Sequence, residues 1–259
     1  MKKKKSIITA LSCVMIFTLL SACSNETKET AKEAAIIIGS SFAGSFADSF
    51  VGSKAGGILK DIREFNEDRY REQIFNYDDG YTDGNITSKG WENQFLNLKF
   101  SLPDGGEMMS KSELSKDDKV NVKKEMWMRR KIYDDSGQLF AIESCSIEVW
   151  QISEFDSVKK LKKDYKKDTK KCFKKEGGRF LNDGEMTIGG KKYDFITGIV
   201  DINQEPKMYV KTAIGSKGNK LIYIDFMYSP NSDDEELEKN LPELERKFDR
   251  IKKNFDTIE

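Results

Sequence analysis

The spacing of hydrophobic and polar residues changes several times along the chain, and each change marks an element. From Ile86 the pattern is strand-like: Trp91, Phe95, Leu98, Phe100 and Leu102 lead into Pro103-Asp-Gly-Gly106, a turn that ends a strand. Ser112-x-x-Ser115 opens a polar stretch that is expected to be helical to about Lys124. Met126 to Tyr133 and Gln138 to Ile152 flank Asp134-Asp-Ser-Gly137, which predicts a hairpin with a long second strand. In that strand Ile147 and Val149 alternate with Glu148 and Trp150. Asp156 to Lys175 switches to the helical period, with Val158, Leu161, Tyr165, Thr169 and Cys172 on one face and Gly177-Gly178 as its stop.

The last third returns to strands. Arg179–Ile188, Lys191–Ile202, Lys207–Ile214 and Lys220–Tyr228 are separated by turns at Gly189-Gly190, Asn203–Pro206 and Gly215–Asn219. Connections this short predict an antiparallel meander. In the final strand both alternating sets are largely apolar, so it is expected to be central, with helices covering one side. A last helix begins near Asn231-Ser232 with Asp233 to Glu236 at its positive end. Leu237, Leu241, Leu244, Phe248, Ile251 and Phe255 form its apolar stripe, and Pro242 is expected to start a second helical segment as its first residue. The fold class is therefore α+β: an antiparallel sheet of about six to seven strands packed with helices, preceded by an N-terminal helix and tether.

Ahead of this domain, Ile58 to Phe75 carries an imperfect amphipathic stripe and is expected to be a helix. Asp78 to Asn85 is a turn. A calcium loop is excluded there, because aligning Gly84 to the loop glycine puts Tyr81 and Gly90 at ligand positions. From Ile38 the sequence runs in fours, with Ile38, Phe42, Phe46 and Phe50 on one ridge and mostly small residues between. Asp48 offsets the apolar gain of this stretch, at about +2.5 to +3.5 kcal/mol near a bilayer centre, which argues against a membrane span. Three alternatives stay open: a helix on the membrane surface or a partner, a small-residue tether, and self-association.

Met1 is followed by Lys2 to Lys5, then by an apolar run from Ile7 to Leu20, then by Ser21, Ala22 and Cys23. This order is that of a secretory signal. Leu20-Ser21-Ala22-Cys23 resembles the bacterial lipobox. The resemblance implies cleavage between Ala22 and Cys23, a diacylglyceryl group on the Cys23 sulfur, and a lipid-anchored location on the extracytoplasmic face of the cell membrane. The expected organisation is a signal peptide over 1–22, a lipidated tether over 23–57, a helix and turn over 58–84, and the α+β domain over 85–259.

Charge and chemistry narrow the function. Lysine plus arginine equal aspartate plus glutamate at 44 each, and the signal holds four of the lysines and no acid, so the mature chain is slightly acidic. Nucleic-acid binding is not expected. No histidine is present, which removes the usual general base and the commonest metal ligand. No cofactor or metal is expected. Cys145 and Cys172 are far apart in sequence and form no CxxC pair; a bond between them and two buried thiols both remain open. The outer faces of the 156–175 helix are crowded with lysine. Lys159, Lys163, Lys166, Lys167, Lys170 and Lys174 are candidate contacts for an anionic surface, against the plainer alternative of a solvated helix face. Asp183 with Glu185, and Asp117 with Asp118, are the acid pairs a carboxylate-dependent hydrolase could use.

The extended Trp91-Glu-Asn93, the run Leu98-Lys-Phe100-Ser-Leu-Pro103-Asp-Gly105 and the element order that follows resemble the PsbP-like (Mog-type) α/β/α sandwich. The likeness is to lipoproteins of Gram-positive bacteria in particular. It covers about residues 85–256, and Gly106 stands where the family motif usually continues with Trp. The resemblance implies a fold used mainly for protein docking and brings no catalytic residues with it. The expected function is a non-catalytic binding or docking module at the bacterial envelope, with an envelope protein or an anionic polymer as partner. The alternatives are capture of a small molecule or antimicrobial peptide, and a hydrolase.

Overall fold

The computed structural model describes residues 74–115, 121–153, 157–175, 178–202, 205–230, 237 and 239–258, all in one compact unit. The signal, Cys23, the four-residue repeat and the 58–73 part of the expected helix lie outside the described residues.

Seven strands form the main sheet: β4 (Gly106–Met108), β5 (Val122–Tyr133), β6 (Leu139–Gln151), β7 (Arg179–Ile188), β8 (Lys191–Ile202), β9 (Glu205–Lys217) and β10 (Lys220–Pro230). Their order is β4-β5-β6-β10-β9-β8-β7, antiparallel throughout. The chain leaves β6 through helix α2 (Val158–Lys175), crosses to the far edge at β7, and returns strand by strand until β10 closes the gap beside β6. The expectation that the last strand is central holds.

Each face of the sheet has its own cover. On one side lies a second sheet, ordered β1 (Asn85–Thr87), β2 (Gly90–Asn93), β3 (Leu98–Ser101) and β11 (Phe255–Asp256). Trp91, Leu98 and Phe100 of this sheet pack on Met126, Met128, Cys145, Ile147, Ile222, Ile224 and Phe226 of the main one. Helix α3 (Leu241–Lys252) extends the same cover through Phe248 and Ile251, with Leu244 closing a smaller cluster around Tyr209 and Tyr228. On the other side α2 packs Leu161 near Trp150, Ile214, Leu221 and Tyr223, and Phe173 near Ile196, Val200, Met208 and Val210. Gly198 makes that second contact possible: a Cβ there would sit 2.5 Å from the Phe173 ring.

Several elements depart from expectation. The four-stranded sheet was not foreseen as separate, because two-residue β11 has no strand period of its own and is held through pairing of Phe255 with Phe100. The polar stretch after Gly106 does not stay helical to Lys124. A short helix α1 (Lys111–Leu114) is capped by Ser110 and Glu113, and β5 is already paired from Val122, opposite Trp150. The expected turn over 215–219 shrinks to Gly218-Asn219, because β9 stays paired to Lys217 with Gly215 beneath the Tyr193 ring. Cys145 is a free, fully buried thiol on the face turned away from α2, so it does not bond to Cys172. Pro242 stands in the first turn of α3, but as its second residue, after Leu241, and not as the first. Among the described residues no helix is long and apolar enough to cross a membrane.

Candidate interaction surface on helix α2

Helix α2 carries ten lysines and only two acids, Asp164 and Asp168. The sheet sorts those lysines into two groups. Lys162, Lys166 and Lys170 point along the flank of the helix toward β7 and β8. Lys170 Nζ lies 2.9 Å from Asp183 and Lys166 Nζ 3.3 Å from it, while Lys162 and Lys166 reach Asp194 at 3.3 and 3.5 Å. Hydrogen bonds from Lys170 and Lys166 hold the Asp183 carboxyl below its usual range despite some burial. Lys170 also stands over the Phe180 ring. These pairs are partly shielded from solvent, and the two carboxylates offset two of the three positive charges, so this flank ties the helix to the sheet.

The second group faces outward. Lys159, Lys160, Lys163, Lys167 and Lys171 are exposed, and Lys171 forms an ion pair with Asp168 at 3.6 Å. Of the six lysines singled out from the sequence, Lys159, Lys163 and Lys167 therefore stand on the outer surface and Lys166 and Lys170 on the ion-paired flank. The side chain of Lys174 lies outside the described residues. Sequence reasoning missed Asp183 and Asp194 as the partners. The signal was present: both occupy alternating strand positions on the face that α2 covers, as Ile196 does. Of the acid pairs considered for catalysis, Asp183 is engaged by lysines, Glu185 is exposed on β7, and Asp117 and Asp118 lie outside the described residues.

Two buried polar clusters went unforeseen, and both fasten the segment from Ile74 to Gly84 to the domain. Lys220 is fully buried, and its ammonium meets Asn76 O at 2.8 Å, Asp79 at 2.8 Å, Gln151 at 2.6 Å and Asn219 at 3.2 Å. Four acceptors saturate its three donors and leave none for a ligand. Phe75 and Tyr81 lie against the same cation. Nearby, buried Glu125 accepts hydrogen bonds from Gly84 N at 2.6 Å, from Asn93 Nδ2 at 3.1 Å and from Tyr81 Oη. Burial raises the Glu125 carboxyl above its usual range, outweighing these three donors. The Tyr81 hydroxyl is pushed up as well, by burial and by the neighbouring carboxylate. Asn93 also donates to Thr82 O and accepts from Leu96 N at 2.8 Å, which gives the Asn of the Trp-x-Asn motif its physical role as a three-way tie. Both clusters are closed and satisfied, so the exposed side of α2 is the stronger candidate for contact with a partner.

No family model matches the chain, and no curated protein matches it. Solved structures do. LpqN of Mycobacterium tuberculosis, described as involved in cell envelope biogenesis, is 10% identical with a TM-score of 0.40, over 62% of this chain and 83% of that one. The PsbP protein (CyanoP) of the cyanobacterium Synechocystis is 14% identical with a TM-score of 0.38, over 68% of this chain and 98% of that one. PsbP, whose family the Trp91–Gly105 motif resembles, is thus among the structures to which this chain is similar.

Proposed function

We propose that the chain is a lipid-anchored, non-catalytic binding module on the extracytoplasmic face of a Gram-positive cell membrane, and that the outer side of α2 is its contact with an anionic envelope component. The anchor follows from Leu20-Ser21-Ala22-Cys23 behind a basic and apolar leader. The contact rests on one observation: the sheet pairs the flank lysines Lys162, Lys166 and Lys170 with Asp183 and Asp194 and leaves Lys159, Lys160, Lys163, Lys167 and Lys171 exposed. Concentrated like charge on a slightly acidic chain costs self-repulsion unless an opposite charge relieves it. The closed polar clusters around Lys220 and Glu125 fit a structural rather than a reactive role.

The anchor is tested by feeding cells a labelled fatty acid. The unmodified protein takes up label and fractionates with membranes, whereas Cys23→Ala does neither; label on the variant would refute the anchor. The contact is tested with a non-lipidated Cys23→Ser chain and isolated envelope fragments. Binding that is strong at low salt and largely lost by 0.5 M, where charge screening acts within about 4–5 Å, supports it. Binding unchanged by salt, or none at all, would refute it.

A further inference from the structure

The outward lysines of α2 form a line. Lys159, Lys163, Lys167 and Lys171 follow at four-residue intervals, so each is the surface neighbour of the next on the exposed side of the helix. At 1.5 Å and about 100° per residue, successive lysines are about 6 Å apart along the axis and about 40° apart round it, so the row climbs about 18 Å while winding about 120° round the helix. The row is narrow. Lys160 and the half-buried Asp164 and Asp168 border it on one side, and Lys162, Lys166 and Lys170, already engaged by Asp183 and Asp194, border it on the other.

Its chemistry is purely electrostatic. A helix that settles into lipid headgroups combines cations with Trp, Phe or Leu side chains that enter the acyl boundary. The exposed large hydrophobic residues among those described are Ile74, Tyr77, Tyr133 and Phe140, none of them on α2. The helix therefore offers a single file of point charges without apolar anchors. Lysine ammonium groups suit phosphate well as point charges, and binding to a polyanion gains further from release of its condensed counterions.

Resting on the anionic contact proposed above, we propose that the partner is a linear phosphodiester polymer of the envelope, lying lengthwise along the row with one phosphate against each of Lys159, Lys163, Lys167 and Lys171. A polymer with one charge per short polyol unit has a spacing that the four-residue step can follow. A flat bilayer would meet the row along one line only.

The test uses the mature chain with Cys23→Ser, poly(glycerol phosphate) of graded length, and vesicles of phosphatidylglycerol and phosphatidylcholine at matched phosphate. Affinity for the polymer is expected to rise with length until the polymer spans the row. It should fall with salt with a logarithmic slope of about −3, as four phosphate contacts on a single strand would give. K159E/K163E/K167E should weaken polymer binding by at least about tenfold, while K89E/K192E/K253E, an equal charge change at exposed lysines elsewhere, should leave it within about twofold. The neutral triple K159Q/K163Q/K167Q, with its thermal midpoint measured alongside, separates loss of contact from loss of fold. Vesicle binding without polymer binding would overturn the polymer and leave the anionic contact standing. Equal weakening by both charge-reversed triples would overturn the row. Failure of both probes to bind would overturn the row and the anionic contact together.

Discussion

At the residue scale, Glu125 and Lys220 carry more of the architecture than their types suggest. A buried carboxylate is costly unless its lone pairs are used. Tyr81, Gly84 and Asn93 use those of Glu125, and the same bonds hold the Tyr81–Gly84 turn on the core. Glu125→Leu should therefore cost about 3 kcal/mol, because three buried donors lose their acceptor. Glu125→Gln should be tolerated, since its carbonyl can accept from Gly84 and Asn93 while Tyr81 Oη accepts from its amide. The raised carboxyl also gives a pH signature. In the window between the ordinary value of 4.5 and its higher folded value, the folded chain holds this proton more tightly than the unfolded chain. Its contribution is thus fully present below that window and is lost as pH rises through it. Urea midpoints of the unmodified chain should fall relative to Glu125→Gln as pH climbs above 4.5; parallel profiles would contradict the assignment. Lys220→Met should cost about 3 kcal/mol by stranding Asp79 and Gln151. Asp79→Asn should cost less, because Asn76, Gln151 and Asn219 still hold the ammonium.

At the element scale, α2 matters most, and its contact with the sheet turns on Phe173 and Gly198. Gly198→Ala puts a methyl into the Phe173 ring and should cost about 1–3 kcal/mol. Phe173→Ala leaves a cavity among Ile196, Val200, Met208 and Val210 and should cost about 3–5 kcal/mol. In the Phe173→Ala background Gly198→Ala should cost nearly nothing, so denaturation of the double variant shows strong non-additivity; simple addition would contradict the contact. The same helix shows what a sequence conveys. The stripe through Leu161 and Thr169 was legible because a helix on a sheet must bury one face, and both are buried. Phe173 was not, because its partner is a glycine far along the chain. The hairpins of the last third were legible from their turn residues and alternation. The partition into two sheets was not, because β11 exists only through its pairing with β3.

For the whole molecule, the lysine-rich helix is both a structural and a surface element, and the division between these roles follows the sheet. Sequence pattern reveals the crowding of charge on α2. It does not reveal which lysines are spent on Asp183 and Asp194, since that depends on β7 and β8 being brought beneath the helix by the long crossover. The two groups should separate in experiment. K166E/K170E places like charges beside Asp183 and should lower stability by roughly 1–2 kcal/mol. K159E/K163E/K167E should leave the thermal midpoint nearly unchanged, because those side chains are exposed. The most direct measurement is the affinity of the non-lipidated K159E/K163E/K167E chain for isolated envelope fragments, beside that of the unmodified chain, with both shown to be folded. A loss of at least about tenfold at an unchanged midpoint is the predicted result. Equal affinity for the two chains would contradict the central claim that the outer face of α2 is where this protein meets its partner.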